Sequence, residues 1–482
     1  MQSEIKGTFN RKKPELLVPA SSLEVLKTAV LFGADAVYIG GEAFSLRANA
    51  KNFMLQEMQE GIQFAHRHGV KVYVTANILA HNGDLDEARQ YFSELRDLHS
   101  MTIYSAKPDA LIISDPGLFT IAREVWPDVE IHISTQANNT NYETYLFWHR
   151  LGAKRVVSAR ELSLEEIKEI REHIPDDLEI ESFVHGSMCI SYSGRCLLSN
   201  YFTGRDANQG NCTHPCRWKY AVVEESRPGQ YLPVYENERG SFIFNSRDLC
   251  MIEFIPDLVK AGINSFKIEG RMKNALYVAA VSRTYRKAID DYFESEEIYT
   301  QNLNVYREEI AKCTYRQYST GFYFGKPDDG NQIYDESTYV SEYIYLGIVE
   351  EAISILHDYT EEYRSGENSD WLKWQMDQGN LKWQNMKDVT DDEEERLTGM
   401  LELVMITQRN KFSLGDRIEV MKPDGRNIMV KVAAMFDEKL EPVDSAPHAR
   451  QKIWVSLIDE EEHTDMAARV GDVLRVKAAD KE

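Results

Sequence analysis

No apolar run in the sequence approaches the roughly 18 residues that a membrane-spanning helix needs. Its opening stretch, MQSEIKGTFNRKK, has no apolar centre of the kind a secretory leader carries. Membrane insertion and export are therefore not expected, and the expected compartment is the cytoplasm. Cysteine is scarce, 6 in 482 residues, too few to staple a disulfide scaffold. Positive charge is also in deficit. The formal net charge of −23 argues against indiscriminate nucleic-acid binding. Residues 331–400 alone hold 17 acidic and 5 basic side chains, so a basic face elsewhere stays open. The sequence has no G-x-G-x-x-G after a first strand, no H-E-x-x-H and no G-x-S-x-G. These absences remove the simplest dinucleotide-binding, zinc-protease and serine-hydrolase readings.

What is present is a repeat. Eight short β-rich apolar runs lie at 15–20, 35–40, 71–77, 110–115, 130–135, 154–159, 179–186 and 264–270, with helical patterns between them. Near-continuous hydrophobicity in such runs is how strands of a parallel sheet buried on both faces read. Eight βα units in about 250 residues predict an α/β fold, a (β/α)8 TIM-type barrel, over 1–295. Ser21 and Ser22 and the S-L-E-E box at Ser163 mark helix starts, and Gly33 and Gly152 mark stops. Residues 187–245, between the seventh and eighth runs, are too long for an ordinary loop and form a cysteine-rich insertion. A connector is expected at 296–356 and an acidic insertion or linker at 357–397. A small β-barrel is expected at 398–482, with Asp424-Gly425 as a hairpin turn.

The insertion carries four of the six cysteines: Cys189, Cys196, Cys212 and Cys216. Four thiolates so close in sequence suit a [4Fe-4S] cluster or a tetrahedral zinc. Only Cys212–Cys216 has the short spacing usual in zinc knuckles, and the intervening glycines suit wrapping around a larger cluster. Cys250 is kept as a substitute fourth ligand, and Cys313 reads as a small buried hydrophobe.

The stretch ESFVHGSMCISYSGRCLLSNYFTGRDANQGNC closely resembles the signature of the collagenase-like, U-type peptidase family, with Glu181, Phe183, Gly186, Cys189, Gly194, Cys196 and Ser199 filling it. ELLVPASSLEVLKTAVLFGADAVYIGGEAFSLRANAKNF, TANILAHN, STQANNTN and KIEGRMK also look like family blocks. The chain is most similar to the branch of tRNA 5-hydroxyuridine modification proteins. That resemblance implies prephenate-dependent, oxygen-independent hydroxylation of the wobble uridine of tRNA, with an iron–sulfur cluster on cysteines of this region. The rivals are a peptidase, with Cys189 or Cys196 paired to His185 or His214, a hydroxylase of another RNA base, and a metal-stapled RNA-binding module.

Prephenate brings two carboxylates, which favour arginine. Arg47, Arg160 and Arg271 follow predicted strand ends and are expected to bind substrate, joined by Asn77 and Gln136. His185 is the expected acid–base group, with Glu269 beside Arg271. His132, inside a strand, reads as a core residue. Lys273, Arg283 and Lys287, in the densest basic window with Lys267, are expected to contact RNA phosphates. Tyr192, Tyr201, Phe202 and Trp218 read as core of the insertion.

Overall fold

The computed structural model describes residues 12–41, 44–45, 53–99, 103–189, 191–218, 221–223, 231–233, 235–237, 240–242, 247–325, 341–358, 398–459 and 467–478. The chain divides into two compact units, Met1–Val340 and Ser341–Glu482.

In the first unit the apolar runs become β1 (Glu15–Pro19), β2 (Ala36–Gly40), β3 (Lys71–Ala76), β4 (Ala110–Ile113), β5 (Glu130–Ile133), β6 (Arg155–Val157), β7 (Glu179–Gly186) and β8 (Ser265–Ile268). They pair in parallel in this order, and β8 pairs with both β7 and β1, closing the ring. This is the expected (β/α)8 barrel. Consecutive residues such as Leu16, Leu17 and Val18 are all 0% exposed, because a closed parallel sheet under a helical ring buries both faces. The helices begin where the local chemistry supplies an acceptor. Ser22 caps α1 (Leu23–Leu31), taking the Val25 N–H at 3.3 Å. Ser163 forms a capping box with Glu166 at the head of α2 (Leu164–His173).

The barrel interior is unusually polar. On β7, Glu181 is fully buried, and Lys267 Nζ on β8 donates to it at 2.6 Å. Arg155 on β6 reaches Glu181 at 3.2 Å and also binds Glu15 and Glu179, each at 2.6 Å. His132 is 0% exposed, a core histidine as expected; its Nε2 bonds Glu130 at 3.0 Å and its Nδ1 is buried without a hydrogen-bond partner. Alternation explains the stack: residues two apart on neighbouring parallel strands point into the same lumen.

Two boundaries differ from the sequence reading. Residues 296–325 belong to the barrel unit: their helices pack on the long helix 275–294. The short strand Tyr318–Ser319 pairs with Asp248–Cys250, which runs antiparallel to β7. Tyr343–Asp358, expected as connector, is instead β9, the first strand of the second unit. Its apolar alternation is interrupted by Glu350-Glu351 at a register shift, which masks the period. Most of the acidic stretch, 359–397, lies outside the described residues.

The second unit continues with β10 (Thr398–Thr407), β11 (Arg417–Met421), β12 (Asn427–Phe436), β13 (Lys452–Asp459) and β14 (Val473–Lys477). These six strands form a closed antiparallel barrel in the order β9-β10-β13-β12-β11-β14. Gly425, at φ +98°, makes the expected turn between β11 and β12. Leu346, Ile406, Phe412, Val420 and Val455 fill its core. Among the described residues no helix is long and apolar enough to cross a membrane.

Candidate active site

Parallel barrels place their chemistry where the strands' carboxyl ends open into loops. Here that end, roofed by the insertion, encloses a cavity of about 280 Å³. Its walls come from the loops after β3, β5, β6, β7 and β8 and from residues 187–216.

All four insertion cysteines line this cavity, and none is in a disulfide. The insertion folds back through left-handed glycines, Gly194 at φ +73°, Gly204 at +69° and Gly210 at +86°. It is pinned from behind. Ser199, 0% exposed, lies in the first turn of α3 (Leu198–Thr203), where its hydroxyl accepts the Thr213 N–H at 3.0 Å and meets Thr213 Oγ1 at 3.0 Å. Asn138 donates to Ser193 O at 2.8 Å and accepts from Arg195 Nε at 2.8 Å. No three His, Cys, Asp or Glu side chains among the described residues converge to hold one metal ion. Tetrahedral zinc, with Zn–S bonds of about 2.3 Å, requires such convergence. A [4Fe-4S] cluster puts each thiolate on a different iron.

Charged groups share the cavity lining with the thiols. Arg160 donates to Ser193 Oγ at 3.0 Å and to Glu269 at 3.2 Å, and its guanidinium lies 4.1 Å from the Phe183 ring centroid. Arg271, 6% exposed, donates to Thr75 Oγ1 at 3.0 Å and to Ser45 Oγ. Lys267 brings its ammonium to the cavity wall, 4.5 Å over Tyr38. Asn77 bonds Ser134 Oγ at 3.4 Å. Gln136 lines the cavity with its Oε1 buried and without a hydrogen-bond partner. Gly186, at φ +111°, lets β7 close on β8, since a Cβ there would meet Glu269 O at 2.5 Å. The structure therefore gathers Asn77, Gln136, Arg160, Glu269, Arg271 and the four thiols around one space. Arg47 lies outside the described residues.

Several expected residues go elsewhere. His185 is buried but does not line the cavity. It packs among Tyr277, Tyr285 and Tyr318, with Tyr285 Oη 3.4 Å from its Nδ1 and its Nε2 unpartnered. Burial pushes its pKa down to about 3, Asp248 opposing and Lys273 assisting, so it stays neutral at neutral pH and is a poor proton shuttle. Cys250 does not line the cavity either. Its Sγ lies 3.9 Å from Tyr285 Oη, and burial pushes its thiol up to about 12. Of the two candidates for a fourth thiolate, Cys216 is the one in the cavity wall. The expected phosphate contacts are engaged internally: Arg283 is 7% exposed and pairs with Glu309 at 2.8 Å. Lys287 pairs with Asp291 at 2.9 Å, and Lys273 donates to Thr314 O at 3.2 Å and lies 4.8 Å over the Tyr277 ring. Lys267 was grouped with them in sequence, yet it stands inside the barrel. Its flanks, Ser-Phe before and Ile after, were the available signal.

The His185 environment makes stability pH-dependent. The folded group resists protonation while the unfolded one titrates near its ordinary 6.5. The unfolded chain therefore binds more protons between pH 6.5 and about 3, and stability falls as pH falls through that window. Glu15 acts in the same direction at lower pH. Burial raises its pKa, but Arg155 and Tyr73 outweigh this and hold it at about 2. Urea denaturation should show a loss of about 2 kcal/mol between pH 6.5 and 5 from His185 alone. The slope should flatten in His185→Phe; an unchanged slope would contradict the buried neutral imidazole.

Comparison with known proteins agrees with this architecture. Residues 21–333 match the description Peptidase family U32, and 382–474 match the Peptidase family U32 C-terminal domain. The chain is 38% identical over 446 residues to tRNA hydroxylation protein P1 of Bacillus subtilis, covering 92% of each chain. It is 36% identical over 482 aligned residues to tRNA hydroxylation protein P of Escherichia coli, covering 92% of this chain and 93% of that one. A 23S rRNA 5-hydroxycytidine synthase of Escherichia coli is 37% identical over 287 residues, 60% of this chain and 41% of that one. With its barrel, its insertion and its C-terminal unit all accounted for, the chain belongs to peptidase family U32.

Proposed function

We propose that this protein is an RNA hydroxylase that installs the 5-hydroxyl of the wobble uridine in tRNA. In this reading prephenate supplies the hydroxyl, and a [4Fe-4S] cluster is held by Cys189, Cys196, Cys212 and Cys216. The observation that carries it is the sharing of one cavity by four thiols, none in a disulfide, and by Arg160, Lys267, Glu269 and Arg271. Two relatives matched over about nine-tenths of this chain are named for tRNA hydroxylation.

A dicarboxylate needs cations held ready in a dry site, where each contact is stronger than in water. Arg271, fixed by two hydroxyls rather than lying loose, offers its guanidinium to one carboxylate. Arg160, braced by Glu269 and flat against Phe183, offers a second. The uncommitted Oε1 of Gln136 suits the N3–H of a uracil. The bound cluster would supply redox or Lewis-acid chemistry at the thiol wall. The fit of the donor set is chemical: four soft thiolates in one cavity wall, three half-buried and Cys189 exposed.

The test is nucleoside mass spectrometry of tRNA from cells with and without this gene, together with purified protein supplied with prephenate. 5-Hydroxyuridine and its derivatives should disappear in the deletion and form in vitro only when prephenate is present. Unchanged nucleosides in a deletion strain lacking any second such enzyme would end the reading.

A further inference from the structure

Of the expected phosphate contacts, Arg283 is buried against Glu309 and Lys287, 47% exposed, is paired with Asp291; the insertion offers a different surface. Residues 187–218 hold three arginines against one aspartate in a chain of net charge −23. The same segment exposes Tyr192, Tyr201, Phe202 and Trp218, at 46%, 82%, 46% and 46%. Sequence reasoning placed these rings in a core. The reason they are outside is the polar back of α3: Ser199 faces inward to Thr213 and Asn211 and turns Tyr201 and Phe202 to solvent. The rings are mutually ordered. Tyr201 and Phe202 meet edge-to-face with centroids 5.2 Å apart, and Phe202 lies 6.2 Å from Trp218. These exposed rings are not in the cavity lining, whereas Cys196 and Cys216 of the same segment are. Arg195 and Arg205 are exposed in the same loop.

We propose that this aromatic surface is a stacking platform for unpaired bases of a single-stranded RNA loop, next to the base that enters the cavity. The inference rests on the RNA-hydroxylase reading and specifies where that RNA docks. Exposed rings beside guanidinium groups are the chemistry that holds unstacked bases without reading their sequence. A duplex keeps its bases stacked and offers these rings nothing. The neighbouring arginines supply positive charge for the phosphates between the stacked bases.

The experiment is fluorescence anisotropy on the full-length protein, at fixed salt. The probes are a labelled RNA hairpin with a single-stranded, uridine-containing loop and a blunt RNA duplex of equal length. The wild type should prefer the hairpin. Tyr201→Ala with Phe202→Ala should weaken hairpin binding at least about tenfold and leave duplex binding as it was. Tyr201→Trp should retain it, which separates stacking from misfolding. Arg205→Gln should weaken both probes and reduce the salt slope. Hairpin binding unchanged in the double variant would overturn the proposal, as would loss of a protein oligomer with RNA affinity intact, which would make the surface a protein interface. Failure of the underlying reading looks different: the platform binds the hairpin, but wild-type protein forms no 5-hydroxyuridine in it. If hydroxylation proceeds with the same KM in the double variant, the platform alone is wrong.

Discussion

Cys212→Ala is expected to reduce RNA hydroxylation by more than about 100-fold, beyond what outer-shell changes around a metal usually do. It is also expected to strip iron and visible absorbance from anaerobically purified protein. The argument is one of donor count. Four thiols share the cavity wall, and a [4Fe-4S] cluster deprived of one thiolate has an iron open to water. Cys189→Ala and Cys196→Ala should behave alike, which separates a cluster protein from a cysteine peptidase, where a single nucleophile matters. Cys313→Ser is the matched control. That thiol is 0% exposed and pushed by burial up to about 12, so it stays protonated and does not bind metal. Far-UV circular dichroism should be unchanged throughout, because no barrel strand contains an insertion cysteine. Iron content unaffected by all these replacements, or activity lost with only one of them, would remove the four-thiolate site.

How much of this was legible depended on sequence distance. The strands were legible because their signal is local. ALIISD and KRVVSA are Val/Ile runs bounded by turns, and they fold as Ala110–Ile113 and Arg155–Val157. The thiol grouping was legible for the same reason, since all four lie within one short segment. Arg160 and Glu269, which share the cavity with them, are 109 positions apart and meet because β6 and β8 flank β7 in the sheet. Orientation was the weakest inference. Lys267 and Arg283 sit in one basic window, yet one faces the barrel lumen and the other Glu309. The rings of α3 read as core because aromatic density usually means burial, while the small polar Ser199 takes the inward position. His185 closes the strand that leads to Cys189, which made it look catalytic. Alternation would put it on the face of Glu181 and Phe183, but the register shift against β8 between Phe183 and His185 breaks the period, and His185 lies among tyrosines.

The interior network supports the other large effect. Glu181→Leu is expected to destabilise the barrel by about 3–5 kcal/mol, the range for breaking a buried ion pair on one side. Burial alone would raise the Glu181 pKa, but Lys267 and Arg155 outweigh it and keep the carboxylate ionised. Arg155 has two other carboxylates within 2.6 Å, whereas Glu181 is the carboxylate that Lys267 pairs with. The strain should therefore fall on Lys267, whose ammonium would be left in a lumen 5% exposed. Adding Lys267→Met removes the stranded charge and should restore much of the lost stability, since replacing both partners of a buried pair by apolar groups is often neutral. Urea denaturation at neutral pH, followed by tryptophan fluorescence, reads both steps. A single-variant loss below about 1 kcal/mol would mean that the pair is hydrated rather than buried. The rescued protein carries the functional consequence. Because Lys267 also lines the cavity, the double variant should be folded yet bind an anionic co-substrate poorly, with KM raised more than kcat is lowered. Recovery of both stability and KM would show that this lysine serves the fold alone.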